Sequence, residues 1–194
     1  MELGTILKQQ KIIKMESRNV ILVMIAIIFS YCSFGQKIIV NGQESKGLLS
    51  WSDFTGRVDK GSSFNAFTSY KFNTKVGNIK FVGDSAIING FEVILEFDQK
   101  NSWAKKDKVT DDLLVHEQGH FNLGILCVNE IMKKYKEARF TKSNYNSLLQ
   151  IIVNESSKKY NEMGIKYDEE TDHSKNIEQQ LKWNKVFAEQ LAGN

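Results

Sequence analysis

The sequence has no proline, two cysteines and only three histidines among its 194 residues. So few cysteines exclude a small disulfide-stapled scaffold, and a chain of this length can bury a core without such staples. Long runs of one charge are also missing: the net charge is +3, and basic residues are interspersed with acidic ones. This pattern excludes a nucleic-acid-binding footprint. The hydrophobic fraction of 41% is that of an ordinary globular domain.

An unbroken apolar run, Val20 to Phe29, follows three basic residues near the amino terminus. This pattern predicts a secretory signal peptide over residues 1–35, starting at Met1 or Met15 and cleaved near Gly35. An uncleaved anchor helix is the alternative, but the run is shorter than the roughly 20 residues of a bilayer span. We therefore expect a secreted or periplasmic protein with no stable membrane span, whose single domain covers residues 36–194.

The two cysteines bear on anchoring and on redox chemistry. Cys32 could accept a lipid anchor, but the bulky Tyr31 stands where a lipoprotein signal needs a small residue, so this reading is disfavoured. Cleavage leaves Cys127 alone, without an internal disulfide. Because Cys127 lies in an apolar run, we predict a small buried hydrophobe rather than a nucleophile or a metal ligand.

The first half of the domain has the short alternating pattern of β-strands. Strands are predicted over residues 66–72, 79–82, 86–88 and 91–97. The Asn89-Gly90 pair predicts a hairpin turn between the last two. No long crossover helix separates these strands, so the sheet should be mostly antiparallel. Trp51 and Phe54 are interpreted as core anchors rather than as the lining of a cleft.

The second half has helical periodicity. Thr110 is a predicted N-cap, and its helix should run to about Lys136. A second helix is predicted from Ser143 to Met163, ending at Gly164, and a third after Ser174. Strands followed by about three helices predict an α+β fold.

The first of these helices carries the motif H-E-x-x-H, formed by His116, Glu117 and His120. Residues four apart share one face of a helix, so both imidazoles can bind a single Zn²⁺. Glu117 can then act as a general base. A chance match is expected in on the order of one chain in a few hundred of this length, so the motif needs support from its context.

A catalytic zinc also needs a third protein ligand. The metzincin extension of the motif does not fit, because Leu123 and Leu126 occupy the positions that it needs. His173, between the second and third helices, is one candidate for the third ligand. Glu155, which would give a two-His, one-Glu site, and Glu170 are the alternatives.

Several motifs occur in a fixed order along almost the whole domain. They are L-S-W-S-D-F-T-G at 49–56, Ala66 and Thr68, Ser102-Trp103, L-L-V-H-E-Q-G-H-F at 113–121, Y-D-E-E-T-D-H at 167–173, Gln179/Gln180 and Trp183. In these motifs the chain resembles a bacterial family of predicted secreted zinc-dependent proteases, catalogued largely as a domain of unknown function. The resemblance implies that His116, His120 and Glu117 form the metal and base constellation, and it favours His173 as the third ligand. Three positions depart from the family pattern: Ser174, Asn122 and Ile125 stand where Gly, Asp and Glu are usual.

These observations lead to the expectation of a secreted zinc metallopeptidase acting on a protein or peptide. Zinc would activate a water molecule, Glu117 would accept its proton, and Tyr167 or Tyr160 could stabilise the oxyanion. One alternative is a non-enzymatic periplasmic or cell-surface module with structural or vestigial zinc. Another is a zinc hydrolase of a non-peptide amide in the cell wall.

Overall fold

The structure is a computed structural model that describes residues 35–192, so the predicted signal peptide lies outside the described residues apart from Gly35. Its elements confirm the α+β prediction, because the strands come first and three helices follow. The strands are β1 (Gly35–Val40), β2 (Gln43–Glu44), β3 (Ala66–Phe67), β4 (Tyr70–Val82), β5 (Ser85–Phe97) and β6 (Trp103–Ala104). The helices are α1 (Asp111–Glu137), α2 (Tyr145–Thr171) and α3 (Ile177–Ala192), and a short 3-10 turn covers Trp51–Asp53.

The main sheet has four strands in the order β2-β1-β5-β4, and β3 pairs with β6 in a separate two-stranded sheet. Most pairs are antiparallel, as predicted, but β1 and β5 run parallel, so the sheet is mixed. The chain between these two strands is long enough for the crossover that a parallel pair requires, and it contains β4.

The predicted hairpin turn at Asn89-Gly90 is wrong. Both residues lie inside β5, and the turn that joins β4 to β5 is formed by Gly83 and Asp84, between Val82 and Ser85. The strands predicted at 86–88 and 91–97 are therefore two parts of one 13-residue strand.

Gly90 supports a change in the strand's pleat rather than a turn. Its φ is +88°, and buried side chains switch from even positions before it, such as Ile88, to odd positions after it, such as Phe91. Opposite it, Gly77 lies so close that an added Cβ would be 2.0 Å from the carbonyl oxygen of Asn89. Glycine at positions 77 and 90 permits this close approach and the change of pleat, so β5 buries side chains along its whole length.

The hydrophobic core lies between β5 and α1, and α2 and α3 cover the far side of α1. Cys127 is completely buried in it, which confirms its predicted role as a hydrophobe, and burial raises the pKa of its thiol to about 12. Each fully buried Val, Leu, Ile or Phe side chain of this core contributes about 1.5–3 kcal/mol to stability through the hydrophobic effect. The core includes Phe91, Val93, Leu95 and Phe97 from β5, and Phe121, Leu123, Val128 and Ile131 from α1.

Helix α1 begins where the sequence predicts: the Thr110 hydroxyl accepts a hydrogen bond from the backbone N–H of Leu113 at 3.1 Å. The prediction for α2 is wrong at its end, because α2 continues seven residues past Gly164 to Thr171. A glycine inside a helix costs about 1 kcal/mol, and the burial of Tyr167 and Thr171 against α1 offsets it. Among residues 35–192, no helix is long and apolar enough to cross a membrane.

Candidate metal centre

The two histidines of the H-E-x-x-H motif project from one face of α1. His116 is 2% exposed, and His120 lies one turn further on with its ring perpendicular to that of His116, at a centroid distance of 5.0 Å. The adjacent face of α1, through Phe121 and Leu123, is anchored in the core. The helix is therefore fixed by hydrophobic packing while its two imidazoles face α2.

A carboxylate of α2 meets both imidazoles. Asp168 Oδ1 lies 3.1 Å from His116 Nε2 and 3.0 Å from His120 Nε2. The donor atoms of these three residues lie within 4.8 Å of one another, and the described part of the chain holds no other His, Cys, Asp or Glu cluster of this kind. Asp168 is not among the predicted ligands because the predicted α2 ends at Gly164; continuing the helical register past Gly164 places Asp168 toward α1.

His173, the predicted third ligand, lies at the edge of this cluster. Its Nδ1 is 3.4 Å from Asp168 Oδ1, and its ring packs on Phe64 at a centroid distance of 4.7 Å. It does not belong to the three-residue group that could hold a metal in the present geometry. Its role as a ligand stays a prediction.

The two glutamates considered as alternatives are elsewhere. Glu170 accepts a hydrogen bond from the indole of Trp183 at 2.8 Å and pairs with Lys166. Glu155 is exposed on α2, thirteen residues before Asp168, or about 20 Å along the helix axis. Neither glutamate belongs to the group formed by His116, His120 and Asp168.

Glu117, the predicted base, is 3% exposed and lines the same cavity as the histidines. The Thr68 hydroxyl lies 2.7 Å from Glu117 Oε2 and donates to it. Burial raises the pKa of this carboxyl above its ordinary value, although His120, Thr68 and His116 act in the opposite direction. A carboxylate with a raised pKa is a better proton acceptor than an exposed one.

The charges of the cluster reinforce one another. Burial alone would raise the pKa of the Asp168 carboxyl, but His116 and His120 hold it well below its ordinary value. Burial alone would lower the pKa of the His120 imidazole, but the Asp168 carboxylate outweighs this effect and raises the pKa above its ordinary value. The site thus combines two imidazoles with an ionised carboxylate, a donor set that suits zinc.

The tyrosines considered for oxyanion stabilisation do not line the cavity. The Tyr167 ring stacks on the His116 ring at 4.7 Å, and its hydroxyl donates to the His116 carbonyl oxygen at 3.0 Å. Tyr160 is buried in the hydrophobic core. Tyr167 therefore packs on helix α1 instead of lining the cavity.

The cavity in front of the cluster has a volume of about 220 Å³. It is lined by the charged cluster and Glu117, and by the segment of residues 63–68 that contains β3. The lining residues are Ser63, Phe64, Asn65, Ala66, Phe67, Thr68, Leu113, His116, Glu117, His120, Asp168, His173 and Lys175.

Three consecutive residues after α2 have left-handed backbone conformations: Asp172, His173 and Ser174, with φ values of 45°, 49° and 78°. A non-glycine residue in this region costs about 1–2 kcal/mol. Ser174, with its φ of 78°, thus occupies a backbone conformation that glycine adopts without this cost.

We therefore expect Ser174→Gly to stabilise the protein by about 1 kcal/mol, because glycine adopts this conformation without strain. Urea denaturation of the purified domain would measure the change. Ser174→Ala is the matched control, since it removes the same hydroxyl and keeps the Cβ. Equal stabilities of the two variants would contradict the backbone explanation.

Comparison with known proteins gives one family match. A profile of the family described as "Bacterial protein of unknown function (DUF922)" matches residues 38–174. This range includes β2 to β6, part of β1, and α1 and α2 with His116, Glu117, His120 and Asp168. The curated proteins and the solved structures that were compared give no match.

Proposed function

The chain belongs to the DUF922 family of bacterial proteins of unknown function, and we propose that it is a secreted zinc-dependent hydrolase of peptide bonds. The observation that carries this proposal is the convergence of His116 Nε2, His120 Nε2 and Asp168 Oδ1 beside a buried glutamate. The predicted export signal supports an extracytoplasmic location, where such an enzyme would meet protein substrates.

The donor atoms fit a zinc ion. Ligands about 2.0–2.1 Å from a tetrahedral zinc lie roughly 3.3 Å apart, and the two imidazole nitrogens are 3.1 and 3.0 Å from the Asp168 oxygen. Three protein ligands leave one tetrahedral position for water, which distinguishes a catalytic site from a closed structural one. We therefore assign Asp168 as the third ligand and keep His173 as the alternative.

A zinc ion here would polarise a bound water and lower its pKa toward neutrality. Glu117 would accept the proton of that water and pass it to the leaving amine. Thr68 would hold the Glu117 carboxylate in place through the 2.7 Å hydrogen bond. Because Glu117 is buried, bulk solvent would not compete for the proton that its carboxylate accepts.

The shape of the cavity supports a peptide substrate. The wall at residues 63–68 contains the two-residue strand β3, which pairs on one side with β6. An extended peptide can lie alongside such a backbone with its scissile carbonyl toward the charged cluster. Phe64 and Phe67 add apolar surface for a substrate side chain.

The proposal can be tested on the purified domain with casein and with peptidoglycan fragments. Casein hydrolysis that a chelator abolishes and zinc restores is the expected result. Hydrolysis confined to peptidoglycan fragments would instead support the cell-wall amidase alternative. Stoichiometric zinc without hydrolysis of either would support a structural zinc site in a non-enzymatic module.

The third ligand is tested by metal content. Asp168→Ala should lose stoichiometric zinc, whereas Asp172→Ala, an exposed neighbour, should keep it. Loss of zinc in His173→Ala together with retention in Asp168→Ala would return the assignment to His173.

A further inference from the structure

We propose that Gln180 is a positioning residue that fixes the tautomer of His116 and so leaves Nε2 of that ring free to bind a metal. The inference rests on the zinc site proposed above. Gln180 lies on α3 and is 5% exposed. Its side-chain Oε1 is 3.2 Å from His116 Nδ1, the ring nitrogen that faces away from Asp168.

The orientation of the Gln180 amide follows from its other contacts. Its Nε2 donates to Asn184 Oδ1 at 2.9 Å and to the Tyr167 hydroxyl oxygen at 2.8 Å. The proton of that hydroxyl has two acceptors, the His116 carbonyl oxygen at 3.0 Å and Gln180 Oε1 at 3.1 Å, and with either one the hydroxyl oxygen can accept from Gln180 Nε2. The amide oxygen of Gln180, and not its nitrogen, therefore faces the His116 ring.

Thr171 supplies a second, independent indication. Its hydroxyl donates to the Tyr167 carbonyl oxygen at 2.6 Å, so it presents a lone pair to His116 Nδ1 at 3.4 Å. Both groups next to Nδ1 are thus acceptors, so a proton on Nδ1 has hydrogen-bond partners in this geometry. Nε2 faces Asp168 Oδ1 on the opposite side of the ring, and a zinc ion bound there would take the place of a proton on Nε2.

This arrangement makes the C-terminal helix part of the metal centre. Histidine ligands commonly donate their second ring N–H to an acceptor, which orients the ring and raises its basicity, and loss of that acceptor typically lowers metal affinity 10–100-fold. Gln180 shares the buried face of α3 with Trp183 and Phe187, so the packing of α3 fixes its position.

The test measures zinc affinity by competition with a chromogenic chelator, using the whole domain. Gln180→Leu should raise the zinc Kd 10–100-fold, whereas Gln180→Glu should stay within a few-fold of the wild type because a carboxylate accepts the same hydrogen bond. Gln179→Leu, at the neighbouring position, should have no effect. Wild-type affinity in Gln180→Leu, or equal losses in the Leu and Glu variants, would overturn the proposal.

A second measurement does not depend on the variants folding. Long-range ¹H–¹⁵N NMR of the metal-free wild-type protein should show a proton on His116 Nδ1, the nitrogen that faces Gln180 Oε1. A ring protonated at Nε2 alone would overturn the role of Gln180. Failure of the wild type to bind zinc would contradict the proposed function instead, and the tautomer would still decide the hydrogen-bonding role.

Discussion

Replacing Glu117 with glutamine should leave zinc bound and reduce peptide hydrolysis by about 10²–10⁴-fold, the usual contribution of a general base. Glutamine has the shape of glutamate, and its amide oxygen can still accept the hydrogen bond from Thr68. It cannot accept a proton from water, so only the chemical step should suffer. Kinetics on a fluorogenic peptide, with zinc content measured on the same sample, would separate the two effects.

A matched control is available on the same helix. Glu137→Gln, at the exposed end of α1, makes the same chemical change away from the cavity and should not alter hydrolysis. If Glu117→Gln retained wild-type turnover, Glu117 would not be the base and the mechanism would be wrong.

Gly119→Ala should destabilise the protein by about 1–3 kcal/mol, the usual cost of overpacking, and weaken zinc binding. A Cβ at this position would lie 2.2 Å from the Tyr167 hydroxyl oxygen and 2.5 Å from its Cζ. The tyrosine is completely buried and donates to the His116 carbonyl, so it cannot move aside freely. The helices must separate instead, which would draw Asp168 away from the histidines.

Gly164→Ala is the control for this prediction, because it adds the same methyl group in the middle of α2. Its Cβ would meet nothing closer than Leu123 Cδ1 at 4.0 Å. Since alanine is a better helix former than glycine, this variant should gain about 0.5–1 kcal/mol. Urea denaturation of both variants would show opposite signs; losses of equal size would show that close packing at Tyr167 is not the cause.

Much of the site could be predicted because its chemistry is local in sequence. His116, Glu117 and His120 lie within five residues of one helix, and the periodicity that identifies the helix also places both imidazoles on one face. The α+β order of elements follows from the same change of period, from two in the strands to 3.6 in the helices.

The rest depends on contacts between distant segments. Asp168 cannot be assigned from a helix that ends at Gly164. The helix continues past that glycine because the burial of Tyr167 against α1 stabilises it. Asn89-Gly90 has the composition of a turn, yet its pairing with the opposite strand at Gly77 makes it a pleat change inside β5. In both places tertiary packing overrides a local glycine signal.

The central claim is that His116, His120 and Asp168 bind one zinc ion with a position open to water. Zinc K-edge X-ray absorption of the purified domain, combined with anomalous diffraction from its crystals, tests it most directly. The expected result is one zinc with two imidazole nitrogens, one carboxylate oxygen from Asp168 and one water. A domain that binds no zinc at these histidines, or a zinc enclosed by four protein ligands, would contradict it.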